Sequence, residues 1–206
     1  MDASKTRTLP EVEISGMARD ESHEVTLIVE RAKAGDADAF AALMRLYQRR
    51  IIALGLQLGL RHDDALDACQ DTFLKVFKYI RRFRSGESFF RWLYRIAIHA
   101  IYDHRKRSRT SGVLSIEDLT PSQVGLIRDA GPSLERRVES ADLAGKLLEG
   151  LETLTRRERV VFVLRDLQEM DTEQIGRILC LSQITVRRHC MAARQKLRAR
   201  LFTPRD

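Results

Sequence analysis

The sequence predicts an all-α fold made of two helical domains that are joined by a flexible linker. Apolar residues recur at three- and four-residue steps over most of the chain, and no segment alternates as a strand would. A stretch rich in glycine, proline, serine and threonine, 110–133, interrupts this periodicity. We therefore expect a first domain at 24–109 and a second at 143–203, with a disordered tail at 1–23 and a linker at 110–142.

Capping residues and loops divide the first domain into helices. Asp36 can cap one helix, and a second is expected at about 64–80. The apolar stripe of the second helix predicts a buried face made of Leu66, Cys69, Phe73, Val76, Phe77 and Ile80. A short polar loop at 84–87 then leads into Ser88, which begins a helix of about twenty residues ending near Arg107.

Two capping boxes mark helix starts in the second domain. Thr155 with Glu158, and Asp171 with Gln174, each place an acceptor three residues before a side chain that can return the bond. Ser182 can cap a further helix after a short break. A short helix, a break and a longer helix in this order are typical of a helix-turn-helix.

The last helix has two different faces. Its apolar stripe consists of Val186, Cys190, Ala193, Leu197 and Leu201. From Leu181 to Arg200 there are six Arg/Lys and no Asp or Glu. A face with charge of one sign indicates a partner of the opposite sign, most commonly the phosphates of DNA. The alternative is a solvated basic helix within an all-α bundle.

Composition limits the classes of protein that are possible. The 206 residues contain 36 Lys plus Arg against 29 Asp plus Glu, a net charge of +7, which suits a polyanionic partner. No apolar run is long enough to cross a membrane, and the N-terminus lacks the apolar segment of a signal peptide. The cysteines Cys69, Cys180 and Cys190 fit neither a disulfide framework nor a zinc site. We expect a cytoplasmic protein with no cofactor and no metal, in which Cys180 is the candidate reactive thiol.

An acidic helix face in the first domain is the first candidate binding surface. Asp64, Asp67 and Asp71 lie on one side of the helix at 64–80, and Lys75 continues that side. The function this favours is docking to another protein. The alternative is structural, because carboxylates also interact favourably with the positive end of a helix dipole.

A basic and aromatic segment is the second candidate surface. Between Arg81 and Arg109 there are nine Arg/Lys against two acids. They are interleaved with the aromatic residues Phe83, Phe89, Phe90, Trp92, Tyr94 and Tyr102. Cations that track a backbone and rings that stack on bases are typical of single-strand binding, although aromatic residues at this spacing also form helix cores. One helical face, which we expect to be accessible to a ligand, carries Arg91, Arg95, His99, Tyr102 and Lys106.

Two runs resemble domains of bacterial RNA polymerase sigma factors. The run DACQDTFLKVFKYIRRFRSGESFFRWLYRIAIHAIYDHRKR is similar to the sigma-2 domain. The run LTRRERVVFVLRDLQEMDTEQIGRILCLSQITVRRHCMAARQKLRARL is similar to the sigma-4 domain. The resemblance covers about 25–107 and 143–201, and with only these two domains the chain resembles the extracytoplasmic function (ECF) group. It implies a factor that binds core RNA polymerase and directs initiation at promoters.

The resemblance implies three sets of contact residues. The clamp helices of the polymerase β′ subunit would be bound by Asp64, Asp67, Gln70, Asp71, Phe73 and Lys75. The melted −10 element would be bound by Arg82, Phe83, Arg84, Ser85, Gly86, Ser88, Arg91, Trp92, Arg95, His99 and Lys106. The −35 duplex would be bound by Ser182, Gln183, Thr185, Arg187, Arg188, Met191, Arg194, Gln195 and Arg198.

Further partners follow from the same resemblance. The sigma-4 domain would touch the β flap, and the linker would pass near the active-site and RNA-exit channels of the polymerase. The few residues after Leu201 leave no room for a fused regulatory domain, so we expect control by a separate protein, an anti-sigma factor, or through expression.

Three positions depart from the pattern of the family. Cys180 stands in the turn where relatives often carry glycine. The recognition helix begins Ile184-Thr185-Val186-Arg187-Arg188-His189, where the group often has G-T-V-x-S-R. His99 stands where many relatives carry asparagine.

Two other functions fit these residues less well. A metal-dependent hydrolase is suggested only by His62-Asp63-Asp64 or by Cys180, His189 and Cys190, and neither set has enough further ligands at a supporting spacing. We therefore predict no catalytic site. A stand-alone helix-turn-helix regulator would explain 171–200 but not the basic and aromatic segment at 81–109.

Overall fold

The structure is a computed structural model that describes residues 23–110, 146–147 and 149–202, and these residues contain helices and no strand. The first domain consists of α1 (His23–Lys33), α2 (Ala37–Gln57), α3 (His62–Tyr79) and α4 (Phe89–Thr110). A 3₁₀ turn, Ile80–Arg82, follows α3 directly. Thr110, the first residue of the predicted linker, belongs to α4, and His23, the last residue of the predicted N-terminal tail, begins α1. The rest of the linker and of the tail lie outside the described residues.

The second domain consists of three numbered helices after helical backbone at 146–147 and 149–152. Helix α5 (Arg156–Phe162) continues into a π-helical segment, Val163–Leu167. Helix α6 (Thr172–Leu179) and helix α7 (Gln183–Phe202) follow. The predicted all-α fold and the predicted order of helices are confirmed.

Local capping explains where several of these helices begin. The Asp36 carboxylate accepts a hydrogen bond from the Ala39 amide at 3.0 Å. Both predicted capping boxes form, with Thr155 and Asp171 as the N-cap residues. Each cap satisfies amides that have no partner within the helix. The sequence therefore marked these starts correctly.

The turn between α6 and α7 depends on Cys180 and Gly176. Cys180 ends α6 with φ 55° and ψ 46°, the left-handed conformation that glycine adopts more easily. The chain then folds back so closely that a Cβ on Gly176 would lie 2.7 Å from the Leu181 carbonyl oxygen. A glycine inside α6 thus makes room for a turn whose left-handed residue is a cysteine.

The α3 helix buries a narrower face than its stripe predicted. Cys69, Phe73 and Val76 are buried as expected. Leu66 and Phe77 are 43% and 66% exposed, so their predicted burial was wrong. The physical reason is that α2 and α4 cover only part of the apolar arc, and both residues lie at its edge.

The two domains pack against each other. One cluster of buried apolar residues extends from Val25 in α1 to Cys190 in α7. A smaller cluster, which includes Leu151 and Leu197, lies within the second domain. The contact between α4 and α6 places the basic and aromatic segment directly beside the helix-turn-helix.

Candidate nucleic-acid interface

Helix α7 presents a cationic face to solvent. Ser182 caps the helix by accepting from the Thr185 amide at 3.2 Å, as predicted. Val186 is fully buried and Cys190 nearly so, which fixes the side of the helix that faces the core. The predicted −35 residues on the outer side are exposed, namely Ser182, Gln183, Arg187, Arg188, Met191, Arg194, Gln195 and Arg198. Thr185 is half-buried.

Two cations of α7 are held by carboxylates of the second domain. Arg194 Nε donates to Asp166 at 3.0 Å. Lys196 Nζ donates to Glu158 at 2.8 Å. Burial opposes ionisation of Glu158, but the hydrogen bonds from Lys196 and Thr155 prevail and lower its pKa. These two cations therefore anchor α7, whereas Arg187 and Arg188 point outward from the same helix.

The loop before α4 is tied to α1. Ser85 Oγ donates to Glu30 and accepts from Lys33, each at 2.7 Å. The hydrogen bond from Ser85, followed by that from Lys33, lowers the pKa of Glu30. Gly86 has φ +96°, a backbone conformation that residues with a side chain rarely adopt. The loop is thus shaped by two polar contacts and one glycine.

Most aromatic residues of the basic and aromatic segment belong to the core. The buried members are Phe83, Phe89, Phe90 and Tyr94. Trp92 is half-buried, with its ring centroid 5.2 Å from that of Phe83 and 5.8 Å from that of Phe89. Phe83 is 6% exposed and so lacks the exposure that stacking on a base requires.

The remaining predicted −10 residues differ in accessibility. Those that are exposed are Arg82, Arg84, Ser85, Gly86, His99 and Lys106. Arg91 and Arg95 are half-buried, and Ser88 is buried, where its side chain accepts from the Arg91 amide at 3.4 Å. His99 Nδ1 lies 2.6 Å from the Arg95 carbonyl oxygen.

Arg95 is bound by the helix-turn-helix. Its guanidinium donates to the carbonyl oxygens of Arg177 at 3.0 Å and Ile178 at 3.1 Å. These carbonyls lie in the last turn of α6, where intrahelical partners are missing and the helix dipole favours a cation. A cleft of 630 Å³ beside this contact has Arg91 and Trp92 on one wall and Cys180 on the other.

Further along α4, polar side chains join the domains: Arg105 and Arg159 are buried, and Glu152, which binds both, is 39% exposed. Arg105 donates to both oxygens of Glu152 and to the Leu58 carbonyl. Arg159 also donates to Glu152, at 3.1 Å. Tyr102 donates to the Arg156 carbonyl at 3.1 Å, and the Arg156 guanidinium lies 4.0 Å from the Tyr102 ring centroid.

These contacts correct one expectation about α4. The face that carries Arg95 and Tyr102 was expected to be accessible to a ligand, yet the second domain occupies both side chains. The reason is tertiary, since their partners lie 54 to 83 residues further along the chain. No local pattern in the sequence indicated these partners.

The acidic face of α3 is only partly open. Asp67 and Gln70 are exposed. Asp71 Oδ2 lies 2.7 Å from His104 Nε2, and this hydrogen bond lowers the pKa of Asp71. Phe73, predicted to contact a partner, is 4% exposed and packs against Phe40 in the core.

Other members of this face are held by weaker ion pairs. The Asp64 carboxylate lies 3.4 Å from Arg61, and Lys75 lies 3.4 Å from Asp103 on α4. The large apolar residues exposed on α3 are Leu66, Leu74, Phe77 and Tyr79, which were not among the predicted contact residues. Leu66 and Phe77 were placed on the apolar stripe of this helix but were expected to be buried, and the spacing of Leu74, three residues before Phe77, puts it on the same side of the helix.

Burial separates the three cysteines. Cys69 is buried, which raises the pKa of its thiol to about 11. Burial and the nearby Asp166 raise the pKa of Cys190. Cys180 is exposed. Within the described ranges, no group of three or more His, Cys, Asp or Glu side chains could hold a metal ion.

Two family models match the chain. The sigma-70 region 2 model matches residues 43–110, and the sigma-70 region 4 model matches residues 144–197. The ECF RNA polymerase sigma-E factor of Haemophilus influenzae is 29% identical over 175 residues, which are 82% of this chain and 91% of that protein. The RNA polymerase sigma-H factor of Pseudomonas aeruginosa is also 29% identical, over 82% of this chain and 90% of that protein.

The chain is an ECF sigma factor of the sigma-70 family. Such a factor directs transcription initiation at promoters, and the alternative of a stand-alone regulator is not favoured because region 2 is present as well. Region 2 contains α3 and α4, and region 4 contains the helix-turn-helix.

Two solved structures have a fold similar to that of this chain. CnrH in complex with the cytosolic domain of CnrY has a TM-score of 0.61 and 23% identity, covering 84% of this sigma factor and 94% of that chain. RpoE of Bartonella quintana in complex with the anti-sigma factor NepR has a TM-score of 0.59 and 22% identity, covering 81% of this sigma factor and 98% of that chain. Among the described helices of this sigma factor, none is long and apolar enough to cross a membrane.

Proposed function

We propose that this sigma factor contacts the −35 duplex through α7 and the melted −10 element through α4 and the loop at 82–88. The observation that carries the proposal is the outer face of α7, which exposes Arg187, Arg188 and Arg198. No carboxylate from 181 to 200 opposes these cations. Such a face neutralises phosphates and places guanidinium groups within reach of base edges in the major groove.

The experiment that tests this proposal is reconstitution with core RNA polymerase. Run-off transcription from a library of promoters should yield transcripts from templates that share one −35 and one −10 element. A matched reaction with core polymerase alone gives the background. Transcription that ignores the sequence of both elements would contradict the proposal.

The −10 surface of α4 has to separate from the helix-turn-helix before both elements are bound. The −10 and −35 elements lie about 25 base pairs apart, which is about 85 Å of duplex at 3.4 Å per step. In the structure the two surfaces are within hydrogen-bond distance of each other, through Arg95 and the Ile178 carbonyl. The closed arrangement is therefore the form of the factor before it engages a promoter.

A pair of fluorophores reports this separation. The exposed positions Arg49 on α2 and Arg157 on α5 lie in different domains and outside the proposed contact residues, so they are suitable attachment sites. Energy transfer between them should fall when core polymerase and promoter DNA are added. Unchanged transfer in a complex that is active in transcription would contradict the required opening.

The exposed part of the α3 face is proposed to dock on the clamp helices of the β′ subunit. Asp67 and Gln70 supply polar contacts, and the half-buried Asp64, Asp71 and Lys75 border them. Asp67→Lys should weaken binding of core polymerase without unfolding the chain, because Asp67 is exposed. Asp38→Lys, which reverses an exposed acid on α2, is the matched control. Equal affinity of both variants would contradict the docking site.

Three parts of this proposal concern other partners and the site of action. The β flap is proposed to contact region 4, and a separate anti-sigma factor is proposed to bind the closed form. RpoE with NepR supports this idea, since that sigma factor is seen with an anti-sigma factor. We place the reaction in the cytoplasm, where RNA polymerase meets the chromosome.

A further inference from the structure

Two large apolar side chains lie on the outer face of the recognition helix. Ile184 is 77% exposed and Met191 is 63% exposed. Each residue of an α-helix is rotated about 100° from the last, so Ile184, Arg188 and Met191 fall within about 60° of one another. The buried stripe that contains Val186 and Ala193 lies on the opposite side of α7.

Ile184 is held in a defined position at the start of the helix. It is the second residue of α7, between the capping Ser182 and the fully buried Val186. The Ser182 and Thr185 hydroxyls are 2.8 Å apart, which restrains the backbone on either side. A β-branched side chain on a restrained backbone has few rotamers. Its apolar surface is thus presented to the outside in one orientation.

The charges around Ile184 and Met191 indicate which kind of partner binds this surface. Arg187 and Arg188 are exposed beside Ile184, and Arg198 is exposed beyond Met191. A protein partner with an apolar surface would leave these guanidinium groups without opposite charge, whereas a DNA duplex supplies phosphates. In the major groove the apolar group on a base edge is the C5-methyl of thymine.

We propose that Ile184 and Met191 are specificity-determining residues that contact thymine methyl groups in the −35 element. The proposal rests on the proposed function of α7. Arg188 lies between them on the same face, at a position from which it can donate to a guanine. Seven residues of helix rise about 10 Å. This distance is about three base-pair steps, so the two thymines are expected about three steps apart.

Uracil substitution provides a test that removes only the methyl groups. The preferred −35 element is first selected from a randomised library with the holoenzyme made from core polymerase and the full chain. Each thymine is then replaced by uracil, one at a time, and run-off transcription is measured. At two positions the replacement should lower initiation about fourfold, which corresponds to about 0.8 kcal/mol for one buried methyl-sized group.

The variants assign each methyl group to a side chain. Ile184→Ala should abolish the preference for thymine over uracil at one position, and Met191→Ala at the other. Both side chains are mostly exposed, so both variants should keep the thermal stability of the parent. Leu27→Ala removes an exposed apolar side chain from α1 and should retain both preferences.

The possible failures are distinguishable. Absence of any promoter-dependent transcript would overturn the proposed function and this inference with it. Normal transcription with no thymine in the selected element, or with equal activity on thymine and uracil templates, would overturn the inference alone. Unchanged preferences in both variants would do the same. Weaker core binding by Ile184→Ala, with the thymine preference intact, would assign this surface to a protein partner and also overturn the inference.

Discussion

Helices α4 and α7 carry similar basic sequences but differ in what their cations contact. On α4, Arg95 is bound to the carbonyls of α6 and Arg105 is buried against Glu152. On α7, Arg187 and Arg188 are exposed, whereas Arg194 and Lys196 are paired with Asp166 and Glu158. An excess of arginine therefore indicates an anionic or polar partner, but that partner can be another part of the same chain.

The difference has a consequence for the order of events in initiation. The α7 surface is accessible in the closed form, whereas the α4 surface is partly occupied by the helix-turn-helix. The Arg95 guanidinium is bound to the carbonyls of Arg177 and Ile178. In the proposed function, melted −10 DNA would compete with these carbonyls for it. We therefore expect binding of core polymerase to open the α4 surface before it captures single-stranded DNA.

The largest expected effect comes from removing the buried cation of α4. Arg105→Met should lower the free energy of unfolding by about 2–3 kcal/mol, because Glu152 and the Leu58 carbonyl lose a donor inside the domain interface. Denaturant unfolding measures this change. Arg84→Met, on the exposed loop, is the matched control and should change stability by less than about 0.5 kcal/mol. Equal effects of the two variants would show that Arg105 does not hold the domains together.

The next effect separates the two kinds of arginine on α7. Arg187→Ala should raise the activation free energy of −35-dependent initiation by about 1–3 kcal/mol, the contribution of one bidentate base contact. Arg194→Ala should act mainly on stability, because its side chain is bound to Asp166. Run-off transcription on matched and mutated −35 elements, together with thermal unfolding, measures both quantities. The comparison fails if Arg194→Ala alters base preference more than Arg187→Ala does.

The smallest expected effect concerns the side of α4 that faces α3. The hydrogen bond from His104 lowers the pKa of Asp71 in the folded state. The stabilisation is therefore present above the unfolded-state pKa of the carboxyl group and is lost as pH falls through the lower folded-state value. Its size should be below about 1 kcal/mol, because the Asp71 side chain is 38% exposed.

Urea unfolding at several pH values tests this contribution. Asp71→Asn should be less stable than the parent at pH 7, and the difference should shrink in acid as the parent carboxylate is protonated. Asp67→Asn, an exposed acid on the same helix, should show no such trend. A difference in stability that grows toward low pH would contradict the expected sign.

Much of the fold was predictable because its signals are local. The caps of α2, α5, α6 and α7 join residues three positions apart, and the sequence shows both partners at once. The turn at Cys180 was located correctly for the same reason. The candidate surfaces were predictable as sets of residue types, and their roles in binding polymerase and DNA stay predictions.

The sequence alone determined the all-α class, the helix starts, the position of the helix-turn-helix and the resemblance to sigma factors. Only the tertiary structure decided which cations are bound by other groups of the same chain and which apolar residues are exposed. Arg95 finds its acceptors 82 and 83 residues away, and no periodic pattern encodes a contact at that separation. Phe77 continues the apolar stripe of α3, yet its side chain is 66% exposed. Apolar periodicity shows which side of a helix faces the core, but it does not show how much of that side the adjacent helices cover.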